Sequence, residues 1–395
     1  MEIFKNLRSD VTPWGVVGHQ TLRITRIRSL RRDPMTPEQT QLARRRLSLG
    51  IVNVGFWVMA SICGLALIRS GRGPLDVMEI VTIVATALGF QAIFDALGGG
   101  LLMPGIRPTP GAFLKRWGRA TIIHSSIVAV IGVVATASLH WTGGFCTGLA
   151  ASTVALSVAR KFLHAAIAGA EVQPRVTANG ERLLATQVDD PAFTGGIVGF
   201  GSHAGILVPE SWRQNLPEAE LRTELSRRRW QADQGLPFRT VVVLLLWNLT
   251  GCQAGSLAFD FSSLTTGTAL LGQACWMTLW SFLGLLVLPS LGRASVFAAD
   301  RAVASAGLDP SRWIRRLPAI TGEDGNDRRW VETIFYPIPS AARRLNSLGS
   351  PVRGPILGDL ARSQLYYSLA GLTLLGRAVH CNVGRPALWV FPPSS

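Results

Sequence analysis

Apolar residues along this chain gather into long runs separated by polar, arginine-rich stretches. The first run, GIVNVGFWVMASICGLALI from Gly50 to Ile68, has about the roughly 20 residues a helix needs to cross a bilayer. Three more follow: about Leu75 to Leu97, Thr121 to Leu139, and about Phe145 to Val158. After a less apolar stretch come Thr240 to Phe259 and about Thr266 to Leu288, joined by DFSSLTT. That connection carries no basic residue, so the pair reads as a membrane hairpin. A last apolar patch, Leu365 to Leu375, lies between Arg362 and Arg377 and is too short to cross easily; it reads as a packed or interfacial helix. The predicted division is a basic arm (1–48), four transmembrane helices (49–161), a soluble domain in two halves (162–239 and 291–350) split by a transmembrane hairpin (240–290), and a C-terminal tail with a short apolar helix (351–395).

Charge sharpens this picture. Only 16% of the residues are charged, against about 25% in a soluble protein, and the mean hydropathy is +0.29. The net charge of +15 is almost wholly arginine, since lysine stands only at Lys5, Lys115 and Lys161. Such residues flanking apolar spans meet lipid headgroups and set topology, so a nucleic-acid partner is not expected. The arm (Arg44, Arg45 and Arg46 among others), the loop with Arg107, Lys115, Arg116 and Arg119, and the stretch after Arg160 all belong on the cytoplasmic side by this rule. No secretory signal precedes the first span. Within the second span, Asp76 and Asp95 read as terminal, leaving Glu79 either to pair with another span or to sit at the interface. The cysteines (Cys63, Cys146, Cys252, Cys275, Cys381) form no C-x-x-C pair and read as buried thiols.

Candidate chemistry lies in the split soluble domain. DPAFTGG (Asp190 to Gly196) precedes SHAGILVPESW (Ser202 to Trp212), two extended apolar runs. LPEAELRTELSRRRWQ (Leu216 to Gln231) then forms a helix opened by Pro217, with Ala219, Leu221 and Leu225 at helical spacing. After the hairpin come RASVFAADRA (Arg293 to Ala302) and YPIPSAARRLNSL (Tyr336 to Leu348). In order and spacing these segments resemble the membrane zinc metallopeptidases of the HtpX and CAAX prenyl protease (Ste24-like) type, over roughly residues 165–350. That family shows an N-A-F-A-x-G strand, an I-x-V-x-x-G-L-L strand, an H-E-x-x-H helix, an E-x-x-A-D helix after a membrane segment, and a T-H-P-x-x-x-x-R ending. The resemblance implies a mainly α fold: multi-pass transmembrane helices with a split cytoplasmic α+β zincin-like (gluzincin-type) domain that contains a small β-sheet.

Carried over one position at a time, the resemblance puts the family's first zinc histidine on Thr223, its general-base glutamate on Glu224 and its second histidine on Arg227. The third ligand falls on Val296, the following aspartate is kept as Asp300, and the T-H-P histidine falls on Ile338, with Pro339 and Arg344 still fitting. Catalytic zinc needs three nitrogen or oxygen ligands. Threonine is a weak ligand, valine is none, and arginine brings a permanent positive charge. Zinc is therefore not expected, and without it Glu224 has no activated water to work on. His203 lies near the site in the family plan and reads as a solvated loop residue rather than a replacement ligand. Arg227 is three residues from Glu224 and on the same helix face, so an ion pair of Arg227 with Glu224 and Asp300 is expected, against a solvated basic face shared with Arg228 and Arg229.

The expected function is a catalytically silent, peptidase-like protein of the cytoplasmic (inner) membrane of a bacterium, with its N-terminus and soluble domain cytoplasmic. It would serve as scaffold, adaptor or accessory subunit for other integral membrane proteins. The alternative is an active metalloendopeptidase with an unorthodox metal site; a transporter rests on Glu79 and the helix count alone. The strand near Ile206 and Leu207 is expected at the sheet edge, where an extended peptide could bind.

Overall fold

The computed structural model describes residues 36–70, 75–103, 108–177, 180–322, 332, 336 and 338–393. Helix α1 (Pro37–Arg69) starts at a capping box, in which the Thr36 hydroxyl accepts from Gln39 N and the Gln39 side chain accepts from Thr36 N. It therefore begins well before the apolar run, and residues 37–48 of the expected arm are helical. Arg46 is buried there, donating to the carbonyls of Gly98 (3.1 Å), Leu102 (2.8 Å) and His380 (2.8 Å). Helix α2 (Val77–Ala96) is also closed by a capping box, Asp76 with Glu79. Glu79 is thus an exposed N-terminal cap and not a partner for another span. The α2 helix widens into a π-helical turn at Leu97–Leu101.

Helices α3 (Pro110–Thr142) and α4 (Cys146–Ala168) lie against each other. A small sheet follows: β1 (Val172–Val176), β2 (Arg182–Thr186), β3 (Gly196–Val198) and β4 (Gly205–Pro209), in spatial order β1-β2-β4-β3. Only β2 and β4 pair in parallel. Ile206 and Leu207 are therefore in an interior strand, contrary to the expected edge; the edge strands are β1 and β3. The cause is the turn after Val198, where Gly199 and Gly201 take positive φ and let Gly196–Val198 pair antiparallel with β4. Helices α5 (Glu210–Asn215), α6 (Glu218–Asp233), α7 (Leu236–Ala258), α8 (Thr266–Ser305), α9 (Ser311–Thr321), α10 (Ala341–Ser347), α11 (Leu360–Tyr367) and α12 (Leu375–Ala378) complete the described elements.

Among the described residues five helices are long and apolar enough to cross a membrane: α1, α2 with its continuation, α3, α7 and α8. Helix α4, expected as a fourth span, is not one of them; Arg160 and Lys161 interrupt its second half. In the α7–α8 hairpin, small residues accept indole rings. Trp276 donates to Gly251 O (2.7 Å) and Trp280 to Trp247 O (3.0 Å), while Gly251 and Gly255 leave the space those rings fill. The helix does not stop at Leu288 but continues through Pro289 to Ser305, 40 residues in all, about 60 Å at 1.5 Å per residue. One rod thus runs from the apolar hairpin to Asp300. Of the thiols expected to be buried, Cys63 is exposed on α1.

The C-terminal segment is the main departure from expectation. From Gly358 to Pro393 nearly every residue is buried. Its arginines are engaged: Arg362 with Cys381 Sγ (2.9 Å), Arg377 with Asp95 (2.6 Å) and over the Trp389 ring, and Arg385 with Asp190. Gln364 donates to Asn248 (2.9 Å) on α7 and Tyr366 to Leu156 O (2.9 Å) on α4. The segment packs against α1, α4, α7 and α8 and forms the interior of the bundle. Asp95, expected at a helix end, is fully buried and accepts from Gln91 (2.9 Å), Trp117 (3.0 Å), Arg377 and Gly384 N (2.8 Å). The glycines of the π-helical turn permit this approach, because a Cβ on Gly99 would collide with Gly384 O. Removing one member of a buried ion pair costs about 3–5 kcal/mol. Asp95→Leu should lower the melting temperature in detergent accordingly and open the C-terminal segment to limited proteolysis, whereas Glu79→Gln should cost about 1 kcal/mol or less.

Candidate functional site

Helix α6 presents its charged stripe inward. Glu220, Thr223, Glu224, Arg227 and Arg228 recur at helical spacing and are all buried, while the apolar Ala219 is exposed. Leu225 contributes to a small core with Ile206, Val208, Trp212 and Trp313. A helix buried on a polar face must have that face matched by other elements, and three elements supply the match.

Helix α8 delivers Asp300 to Arg227, and α10 delivers Arg344 to Asp300. Arg227 Nε donates to Asp300 Oδ1 at 2.9 Å and its Nη1 to Glu224 Oε2 at 3.3 Å. Arg344 makes a two-pronged contact with Asp300, Nε to Oδ2 and Nη2 to Oδ1, each 2.7 Å. Arg228 donates to Glu224 Oε1 at 2.6 Å, and its other nitrogens reach Leu207 O (2.7 Å) on β4 and Thr194 O (2.6 Å) just before β3. Side-chain exposure across these five residues is 3% or less. Burial alone would raise the Glu224 carboxyl, but the Arg228 and Arg227 guanidiniums and the Arg228 hydrogen bond hold it below its ordinary value. Each oxygen of both carboxylates accepts from a guanidinium. Glu224 is thereby tied up as an anion, which makes it a poor proton acceptor for chemistry near neutral pH.

The other anticipated residues are dispersed. Thr223 turns its hydroxyl to Ala219 O (2.8 Å) of its own helix. Val296 is half-buried on α8, one turn before Asp300. His203 sits exposed in the short helical turn Gly201–His203. Ile206 points into the small core, and Ile338 lines a shallow cleft with Ile314 and Pro318, the same cleft that Arg344 borders. Among the described residues no three His, Cys, Asp or Glu side chains are grouped so as to hold one metal ion. A family zinc does not fit this donor set: the two helix positions carry a hydroxyl bonded to backbone and a guanidinium already placed between two carboxylates.

Beside the cluster, the free side of β3 faces a cavity of about 90 Å³ bordered by Arg228, Asp359 and Tyr367. The C-terminal segment closes it, with Phe391 against Gly196 and the Arg160 guanidinium 4.3 Å from the Phe391 ring centre. His164 is stacked on Phe193 and edge-on to Phe391 in the same region. Sequence reasoning assigned Arg228 to a solvated face and overlooked the Asp190–Arg385 pair. The spacing of Glu224 and Arg228, four apart, was a usable signal for the first; the second joins residues far apart in the chain and left no local trace.

A carboxylate held below its ordinary value contributes stability above the unfolded value of 4.5 and loses it as pH falls through the folded value. The melting temperature of the protein in detergent should therefore fall with acidification below about pH 4.5. Glu224→Gln should melt lower than the parent near neutral pH and show a shallower acid decline. Equal acid slopes in the two proteins would show that Glu224 does not contribute in this way.

Neither protein-family models nor curated proteins give a match to this chain. Among solved structures, the crystal structure of Ste24p from S. mikatae is similar over 80% of this chain and 99% of that one, with a TM-score of 0.50 and 10% sequence identity. At that identity the likeness is one of fold. The chain has a Ste24p-like fold, with five helices among the described residues that are long and apolar enough to cross a membrane, and a small mixed sheet.

Proposed function

We propose that this chain is a degenerate relative of the membrane zinc metallopeptidases that has become catalytically silent and acts by binding, as a scaffold, adaptor or accessory subunit for other integral membrane proteins. One observation carries the reading: the Arg227 guanidinium lies between Glu224 and Asp300, 3.3 Å from one and 2.9 Å from the other. Peptide-bond hydrolysis by this fold's family depends on a metal-bound water. Here the acids that would surround it neutralise arginine instead, and the arginine cannot be deprotonated to make room. The charge cluster keeps the domain folded without the ion.

The lateral surface supports the binding role. Trp141, Val133, Val158 and Phe162 are all at least 70% exposed on α3 and α4, and such faces must be covered by lipid or by other apolar protein. Under this proposal the N-terminus and the sheet domain lie on the cytoplasmic side of a bacterial inner membrane, as the arginine distribution favours. An extended peptide, if one binds, would add to β3 and would first have to displace Phe391.

Elemental analysis of protein purified without chelator tests the silent reading. Zinc far below one ion per chain, with no cleavage of an unfolded protein substrate, is expected. Extraction in mild detergent should retain another integral membrane protein at fixed stoichiometry. One zinc per chain, removed by chelator together with proteolysis, would overturn the proposal.

A further inference from the structure

An apolar cavity lies away from the charge cluster, in the cleft between α1 and α8. It measures about 320 Å³, and its walls include Leu47, Ile51 and Val58 of α1, Leu286 of α8 and Leu365 of α11. Ile51 (45% exposed) and Leu286 (40% exposed) form the outer rim, so the opening is on the lateral surface of the bundle, towards the bilayer. The floor is the C-terminal segment, where Arg362 donates to Cys381 Sγ at 2.9 Å.

The dimensions select the occupant. From Leu47 to Val58 the wall rises roughly 16 Å at 1.5 Å per residue, about half of the roughly 30 Å hydrocarbon core. That is the depth of one leaflet. Spread over this height, the volume leaves a mean cross-section of about 20 Å², which suits one extended alkyl chain and is far too narrow for a helix about 10–12 Å across. An exposed charge on the same face of α1, one turn before the cavity wall begins, points to the headgroup. Arg44 is exposed and lies one turn before Leu47 and two before Ile51, on the same face of α1. It is placed at the level where a lipid phosphate would be, at the polar end of the cavity.

We propose that the cleft between α1 and α8 is a binding site for one anionic phospholipid of the leaflet at the N-terminal end of α1, with an acyl chain in the cavity and the phosphate at Arg44. Lipid in this position would complete the wall of the bundle beside the C-terminal segment.

The test uses the full chain in nanodiscs of phosphatidylcholine with a minor share of phosphatidylglycerol, released into mild detergent for native mass spectrometry. One retained phosphatidylglycerol per chain is expected. Gly55→Leu should reduce retention at least tenfold, because Gly55 borders the cavity and a Cβ there meets nothing within 4 Å, so the new side chain fills the space without a clash. If that variant melts below the parent, Val58→Phe serves the same purpose from the neighbouring turn. Arg44→Gln should keep one lipid and lose the preference for phosphatidylglycerol over phosphatidylcholine. Retention of no lipid by the parent, parental retention by both cavity-filling variants, or an unchanged headgroup preference in Arg44→Gln would overturn the proposal.

Discussion

Two carboxylates buried beside three guanidiniums set the terms for the soluble domain. An isolated buried charge is prohibitively costly, and a buried ion pair is tolerated only when its lone pairs and protons are met. Glu224 and Asp300 meet that condition together: Arg227 bridges them, Arg344 grips Asp300 from α10, and Arg228 fastens Glu224 to the sheet through Leu207 O and Thr194 O. Arg227 joins α6 to α8, Arg228 joins α6 to the sheet, and Arg344 joins α10 to α8. The segments before and after the α7–α8 hairpin are brought together by these contacts and by the small core in which Trp313 meets Ile206, Val208, Trp212 and Leu225. Because α8 runs unbroken from the membrane hairpin to Asp300, the cluster fixes the sheet domain to the end of a membrane helix.

The same physics is used inside the bundle. Asp95 collects four donors from α2, α3 and the C-terminal segment. A carboxylate in a membrane helix is expensive unless it faces protein, and here it faces the segment that fills the bundle. Arg385 with Asp190 ties that segment to the turn before β3, and Phe391 then covers β3 itself. Two arginine–carboxylate anchors thus hold the chain end between the membrane helices and the sheet.

Much of this was legible in sequence, and the illegible part has a common cause. The apolar helices of the hairpin and the helix that carries Thr223, Glu224 and Arg227 could be read because each is local. Arg227 could be matched to Glu224 by helical spacing, and to Asp300 only through the family resemblance. Periodicity failed on α6 because hydrophobic spacing marks the buried face only when that face is apolar; here the buried stripe is charged and Ala219 is exposed. After residue 350 only a tail with one packed or interfacial helix was expected, and nothing local showed that Arg362, Arg377 and Arg385 are buried. Their partners are 19, 282 and 195 residues away, beyond the reach of any pattern in a window. Glu79 attracted attention as the acid within a span, yet its partner was three residues before it; Asp95, apparently terminal, was the residue that mattered.

The proposed function rests on Arg227 as the positive centre shared by Glu224 and Asp300. A double-mutant cycle between Arg227→Met and Asp300→Asn, measured by thermal unfolding in detergent, addresses it most directly. Strong coupling is expected, above about 1.5 kcal/mol as for close buried charge pairs, with the double variant recovering part of the loss of either single one. Additive losses would mean that the two residues stabilise the fold independently, and the account of an arginine-centred site would be wrong.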